Sequence, residues 1–167
     1  MTTRTIEQFA SACHDILKKE PTPTGRVRVC NLLKEYLKDE QFVSTYLREE
    51  TPERHILYED SELGFVILAH HYRGAKESNP HDHGPYWAIY GQARGETEMS
   101  DYALLEPATA EKPGKVRKTR TYKLTPGVAH VYNEGDLHSP RREGATKLIR
   151  IEGTNMEKVK RLSYEKA

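Results

Sequence analysis

Apolar positions in the first fifty residues recur at intervals of three and four. Ile6, Phe9, Ala10, Cys13, Ile16 and Leu17 form one stripe, and Val27, Val29, Leu32, Leu33, Tyr36 and Leu37 form a second. This is the spacing of helices that bury one face against something larger. Pro21-Thr22-Pro23-Thr24-Gly25 separates the two, and a shorter stripe through Phe42, Val43, Tyr46 and Leu47 ends at Arg48-Glu49-Glu50-Thr51-Pro52. From Arg54 onward the period changes to two. Strands are expected at Ile56-Leu57-Tyr58, from Phe65 to Tyr72, from Trp87 to Gly91, from Gly95 to Tyr102, from Val116 to Leu124, from Val128 to Tyr132 and from Leu148 to Glu152. Gly, Pro and acidic turns punctuate them, and Pro107 to Lys115 reads as a loop. The pattern predicts a mainly β protein, a small antiparallel barrel or jelly roll behind a helical extension. Residues 1–50 are read as the extension packed on the barrel and residues 51–167 as the barrel, together a single structural unit.

With 167 residues the chain has room for one domain, and 26 Lys and Arg against 25 Asp and Glu leave a net charge of +1. No field of that size recruits nucleic acid or an acidic membrane surface. The first residues lack the uninterrupted apolar run of a secretion signal, and nowhere do eighteen apolar residues follow one another. A cytoplasmic location is therefore expected. Cys13 and Cys30 fall inside the helical stripes, which suits reduced, semi-buried thiols rather than a disulfide or a zinc pair.

The chemistry gathers on histidines. His81 and His83 stand one residue apart in Pro80-His81-Asp82-His83-Gly84. On a strand their side chains share a face with Cα atoms about 6.5–7 Å apart, a two-ligand clamp for a metal. A third imidazole from a neighbouring strand would complete one triangular face of an octahedral ion and leave the opposite positions open. His130, following Pro126-Gly127, is the candidate. His70 and His71 are adjacent, so only one can face inward. His138, before Ser139-Pro140, is read as lying in the next turn and as a second choice for the ligand. Tyr86, Tyr90, Tyr102 and Tyr132 are candidates to line a pocket, and the basic cluster Lys115, Arg117, Lys118 and Arg120 reads as a solvated strand face.

Pro80-His81-Asp82-His83-Gly84-Pro85-Tyr86-Trp87, then Gly91-Gln92-Ala93-Arg94-Gly95, then Pro126-Gly127-Val128-Ala129-His130-Val131-Tyr132-Asn133, resemble the two motifs of the cupin superfamily. More narrowly they resemble the cysteine dioxygenase-type cupins, including the bacterial enzymes that oxidise mercaptopropionate. The likeness spans roughly residues 54 to 152, and the helical first third is similar in layout. It implies a double-stranded β-helix barrel and a non-haem Fe(II) held by His81, His83 and His130. Most cupins add a carboxylate four or five residues after the second histidine; Trp87 and Ala88 stand there, so a three-histidine site is expected. Ala88 also stands where animal cysteine dioxygenases carry a cysteine crosslinked to tyrosine. In the last barrel strand, Leu148-Ile149-Arg150-Ile151-Glu152 puts Arg150 where the family has a histidine facing iron. Arg54 aligns with the arginine that binds the substrate carboxylate in these enzymes, and Asn133 matches a family asparagine.

The resulting expectation is an oxidoreductase, an Fe(II)-dependent dioxygenase of a small carboxylate- or thiol-bearing metabolite. Zn, Mn or Ni are alternative occupants of the site. Arg150 and Tyr132 are assigned to catalysis, and Arg54, Arg150 and Tyr86 to substrate binding. The partners are the small-molecule substrate and O2, in a monomer or homodimer with no nucleic acid or membrane. A non-redox isomerase or lyase and a metal-bound small-molecule sensor are the rival readings.

Overall fold

The computed structural model describes residues 3–167. Three helices lead the chain: α1 (Ile6–Lys19), α2 (Pro23–Leu37) and α3 (Glu40–Tyr46). Thr5 and Gln8 cap α1 reciprocally, each side chain accepting from the other's backbone N–H. Pro23 opens α2, where its missing N–H costs nothing. The Asp39 carboxylate accepts from the backbone of Gln41 and Phe42 at the start of α3. Among the described residues no helix is long and apolar enough to cross a membrane.

Ten strands follow: β1 (His55–Glu59), β2 (Val66–Tyr72), β3 (Lys76–Glu77), β4 (Ala88–Arg94), β5 (Thr97–Glu106), β6 (Gly114–Leu124), β7 (Ala129–Tyr132), β8 (Leu137–Arg142), β9 (Thr146–Glu152) and β10 (Tyr164–Lys166). They form two five-stranded sheets, ordered β1-β2-β9-β4-β7 and β10-β6-β5-β8-β3. Every pairing is antiparallel except β10 with β6. The β5–β6 hairpin stays within the second sheet, and from β6 onward successive strands alternate between the two sheets, which makes the barrel a jelly roll of the cupin kind, with the helices as an extension on one side. The expected fold class and the expected strands are present.

Alternation decides what each sheet face does. Ile67, Ala69, Ile89, Ala93, Ile149 and Ile151 of the first sheet point outward and form one apolar cluster with Phe9, Leu33 and Phe42 of the helices. Their alternates, among them Leu68, His70, Tyr72, Tyr90, Arg150 and Glu152, point into the barrel. Gly91 lets α2 lie close: a Cβ there would sit 2.6 Å from Leu33 Cδ2 and 2.9 Å from Leu37 Cδ1. Gly95 is required by conformation as well as space, with φ of +68° and the Ala145 carbonyl 2.3 Å from where a Cβ would be.

Three details differ from the sequence reading. On α2 it is Arg26, not Val27, that faces the barrel: Val27 is 49% exposed and Arg26 8%. The buried stripe runs 26, 29, 30, 33, 37, and Arg26 satisfies its guanidinium over the Trp87 ring and on Asn133 and Glu134. Asn133 thus ties helix to barrel. The stretch expected to be a turn around His138 is strand β8, with Pro140 inside it. Finally, His81 and His83 do not share a regular strand. They lie in the connection before β4, where His81 makes an isolated bridge to His138.

Candidate metal centre

That bridge builds the site. The His81 N–H donates to the His138 carbonyl and the His138 N–H to the His81 carbonyl, both at 2.9 Å. The pairing sets the two imidazoles side by side, with ring centroids 4.6 Å apart. His83 closes the group, 5.2 Å from His138 and 5.8 Å from His81. The candidate donor nitrogens of His81, His83 and His138 all lie within 4.8 Å of one another. Among the described residues no carboxylate belongs to this cluster.

Backbone carbonyls orient two of the rings. His81 Nδ1 lies 2.8 Å from the Asn79 carbonyl and His138 Nδ1 2.9 Å from that of Asp136. A carbonyl only accepts, so each Nδ1 carries the proton and each Nε2 keeps its lone pair for the cluster. The Tyr90 hydroxyl stands 3.1 Å from His83 Nε2 and 3.3 Å from His138 Nε2. One hydroxyl proton can satisfy only one of them. Three converging imidazoles, two of them sharing one tyrosine hydroxyl, fit a Lewis acid at their centre, and the all-nitrogen set suits Fe(II), Zn(II), Ni(II) or Mn(II).

Burial keeps the cluster uncharged. Desolvation lowers the His81 pKa to about 4, with Arg161 and Arg150 adding to the effect. His83 and His138 are depressed further, by burial first and then by their neighbouring imidazoles. His70 is also depressed, by burial and by Arg150. In the unfolded chain these groups protonate near the ordinary histidine value, so below it the unfolded state binds more protons. The metal-free protein is therefore expected to lose stability steadily as pH falls from about 6.5 toward 4, at up to ~1.4 kcal/mol per pH unit for each such histidine. Urea denaturation at stepped pH tests this; a flat profile across that window would mean that the imidazoles are solvated.

His130, the expected third ligand, is not in the cluster; His138 takes that place. Strand β7 directs Tyr132 toward the site, with its ring 4.2 Å from that of His138. His130 lies two residues back, about 6.5–7 Å along the strand. There it packs on Tyr122 and approaches Arg120 Nη2 at 3.4 Å. Tyr132 is buried against the cluster, but its hydroxyl is paired with that of Tyr122 at 2.7 Å, and Tyr122 donates to Asp101. It packs on the His138 ring, and Tyr90 is the tyrosine whose oxygen reaches the cluster's Nε2 atoms. Tyr86, expected to bind substrate, is 37% exposed on the connecting loop.

Arg54 and Arg150 have opposite fates. Arg54 donates to Glu152 at 3.0 Å and Asn155 at 2.8 Å, and its Nε is 2.9 Å from Glu157. Each of its three nitrogens has a partner, so Arg54 anchors the buried Glu152, and it also lines the pocket that His83 borders. Arg150 faces the interior, its guanidinium 4.2 Å over the Tyr90 ring, and its Nε has no partner. Two pockets sharing Tyr72, Lys76, Arg150 and Arg161 open beside the histidines, of about 400 Å³ and 320 Å³. His81 borders the first and His83 the second.

No protein-family model matches the chain, and no curated protein matches its sequence. Similar solved structures include cupin and double-stranded β-helix proteins. One is an uncharacterised double-stranded β-helix protein of Klebsiella pneumoniae, with TM-score 0.48 and 16% identity over 74% of this chain and 89% of that one. The Schizosaccharomyces pombe Cnp3 cupin domain gives 0.46 and 11% over 62% and 65%, so the chain spans just under two thirds of it. KdgF from Halomonas gives 0.44 and 17% over 63% and 82%.

Proposed function

We propose that this chain is a metal-dependent cupin enzyme, with His81, His83 and His138 as the ligands of Fe(II), that oxidises a small carboxylate- or thiol-bearing metabolite with O2. The observation that carries the reading is a largely buried three-imidazole cluster opening on a pocket lined by Arg150, whose guanidinium Nε has no partner. Bound Fe(II) would supply open positions for a substrate donor atom and for oxygen. The chain's own groups do the rest. Asn79 and Asp136 hold two imidazoles in the ligating tautomer. Arg150 offers its unpartnered edge to an anion, and stacking on Tyr90 fixes its plane. Burial raises the Tyr90 pKa, so its hydroxyl stays protonated and can donate to a developing negative charge beside the donors.

That same protonated hydroxyl favours a second reading, a non-redox isomerase or lyase in which Tyr90 is a general acid. Protein reconstituted anaerobically with Fe(II) should consume O2 only when a suitable thiol or acid is present, with cysteine, 3-mercaptopropionate and small dicarboxylates as the first panel. Zn(II) protein should be inactive. Turnover without O2 on Zn(II) protein would replace oxygenation with the isomerase or lyase class, and tight binding without turnover on any metal would leave a sensor.

A further inference from the structure

Arg142, at the end of β8, is 3% exposed. Its guanidinium lies 4.3 Å over the Tyr72 ring, and its Nε and one terminal nitrogen have no hydrogen-bond partner. Together with Arg150 Nε this leaves three buried guanidinium nitrogens unsatisfied on the walls of one pocket. The two arginines come from opposite sheets, and stacking on Tyr72 and Tyr90 engages their faces while sparing their edges. Arg161 borders the same pocket and meets only the Asp82 carbonyl, at 3.4 Å.

Nearby acids compensate these charges only in part, Glu152 acting on Arg150 and Glu53 on Arg142 without a direct ion pair. Glu53 is paired with Lys76, and Glu152 and Glu157 with Arg54. Among the described residues Arg142, Arg150 and Arg161 form no ion pair. A buried guanidinium with little counter-charge is unfavourable, and two facing one cavity repel each other, so an anion bound between them would relieve both costs. A single carboxylate would neutralise one of three charges.

We propose that Arg142, Arg150 and Arg161 form an oxyanion subsite beside the metal ligands, built for a doubly charged head group of the phosphate type. Building on the metal-site reading above, the substrate class is then a bifunctional metabolite, with a donor end at the histidines and a dianionic oxyanion end at the arginines.

The test uses metal-free protein, so that its outcome does not depend on whether the histidines bind metal. Inorganic phosphate, sulfate and acetate are titrated by calorimetry near neutral pH. Phosphate and sulfate are expected to bind at one site, at least tenfold more tightly than acetate. Arg142→Gln should weaken phosphate binding by at least tenfold. Arg142→Lys, which keeps the charge but loses the planar fork, should fall between. Arg161→Gln, at an exposed position that leaves folding undisturbed, should cost a few-fold. Absence of phosphate binding to the parent would overturn the subsite, as would equal binding by Arg161→Gln and whichever Arg142 variant folds. Acetate binding as tightly as phosphate would overturn the dianionic head group.

Discussion

His138→Ala is expected to lower metal affinity by more than about 100-fold, beyond the 10–100-fold typical of losing a group that merely orients a ligand. His130→Ala should bind metal as the parent does. The contrast is sharp because the two residues are only eight apart, and His130 has the more motif-like setting. His138 shares a two-hydrogen-bond bridge with His81 and has its Nε2 turned to the cluster, while His130 packs on Tyr122 beside Arg120. Metal content after dialysis against a weak chelator, with circular dichroism to verify the fold, reads the difference. Loss of metal from the His130 variant and retention in the His138 variant would reverse the assignment.

Arg54→Ala should destabilise the protein by about 3–5 kcal/mol, because it leaves the Glu152 carboxylate, 1% exposed, without its partner. A substrate anchor at the protein surface would behave differently: removing it would cost at most ~1 kcal/mol of stability. Adding Glu152→Gln to Arg54→Ala should recover part of the loss, since the residue left behind is then uncharged. Urea midpoints of the single and double variants decide the matter. A single variant within 1 kcal/mol of the parent would restore Arg54 as a candidate for substrate binding.

Much of this architecture was legible in the chain. The change of hydrophobic period near residue 50 separates helices from strands, and alternation locates most of the strands. The His81–His83 pair announces itself by spacing and by the glycine and proline around it. Two features obscure the third histidine of the cluster. Pro126-Gly127 gives His130 a familiar motif, and Pro140 makes the following stretch read as a turn, because proline is expected only at sheet edges or strand ends. Here β8 has only the two-residue β3 on its other side, which leaves room for a residue without an N–H. The one available signal was the turn Asn133-Glu134-Gly135-Asp136, with Gly135 at φ +79°, which promises a new strand directly afterwards. Arg142 and the Arg54–Glu152 pair join positions remote in sequence, and no local pattern marks such partners. Arg26 was overlooked because a charged residue on an apolar stripe looks like an error in the stripe until its partners are known.

The outward face of the first sheet has a practical corollary. Ile67, Ile89, Ile149 and Ile151 are dry only because Phe9, Leu33 and Phe42 cover them. A fragment cut at residue 50 would therefore not be a smaller version of the same protein. It would be a barrel with an uncovered apolar wall, prone to stick to other copies of itself. The leading helices serve the barrel as its missing outer layer, and any effort to express the histidine cluster in miniature must bring them along.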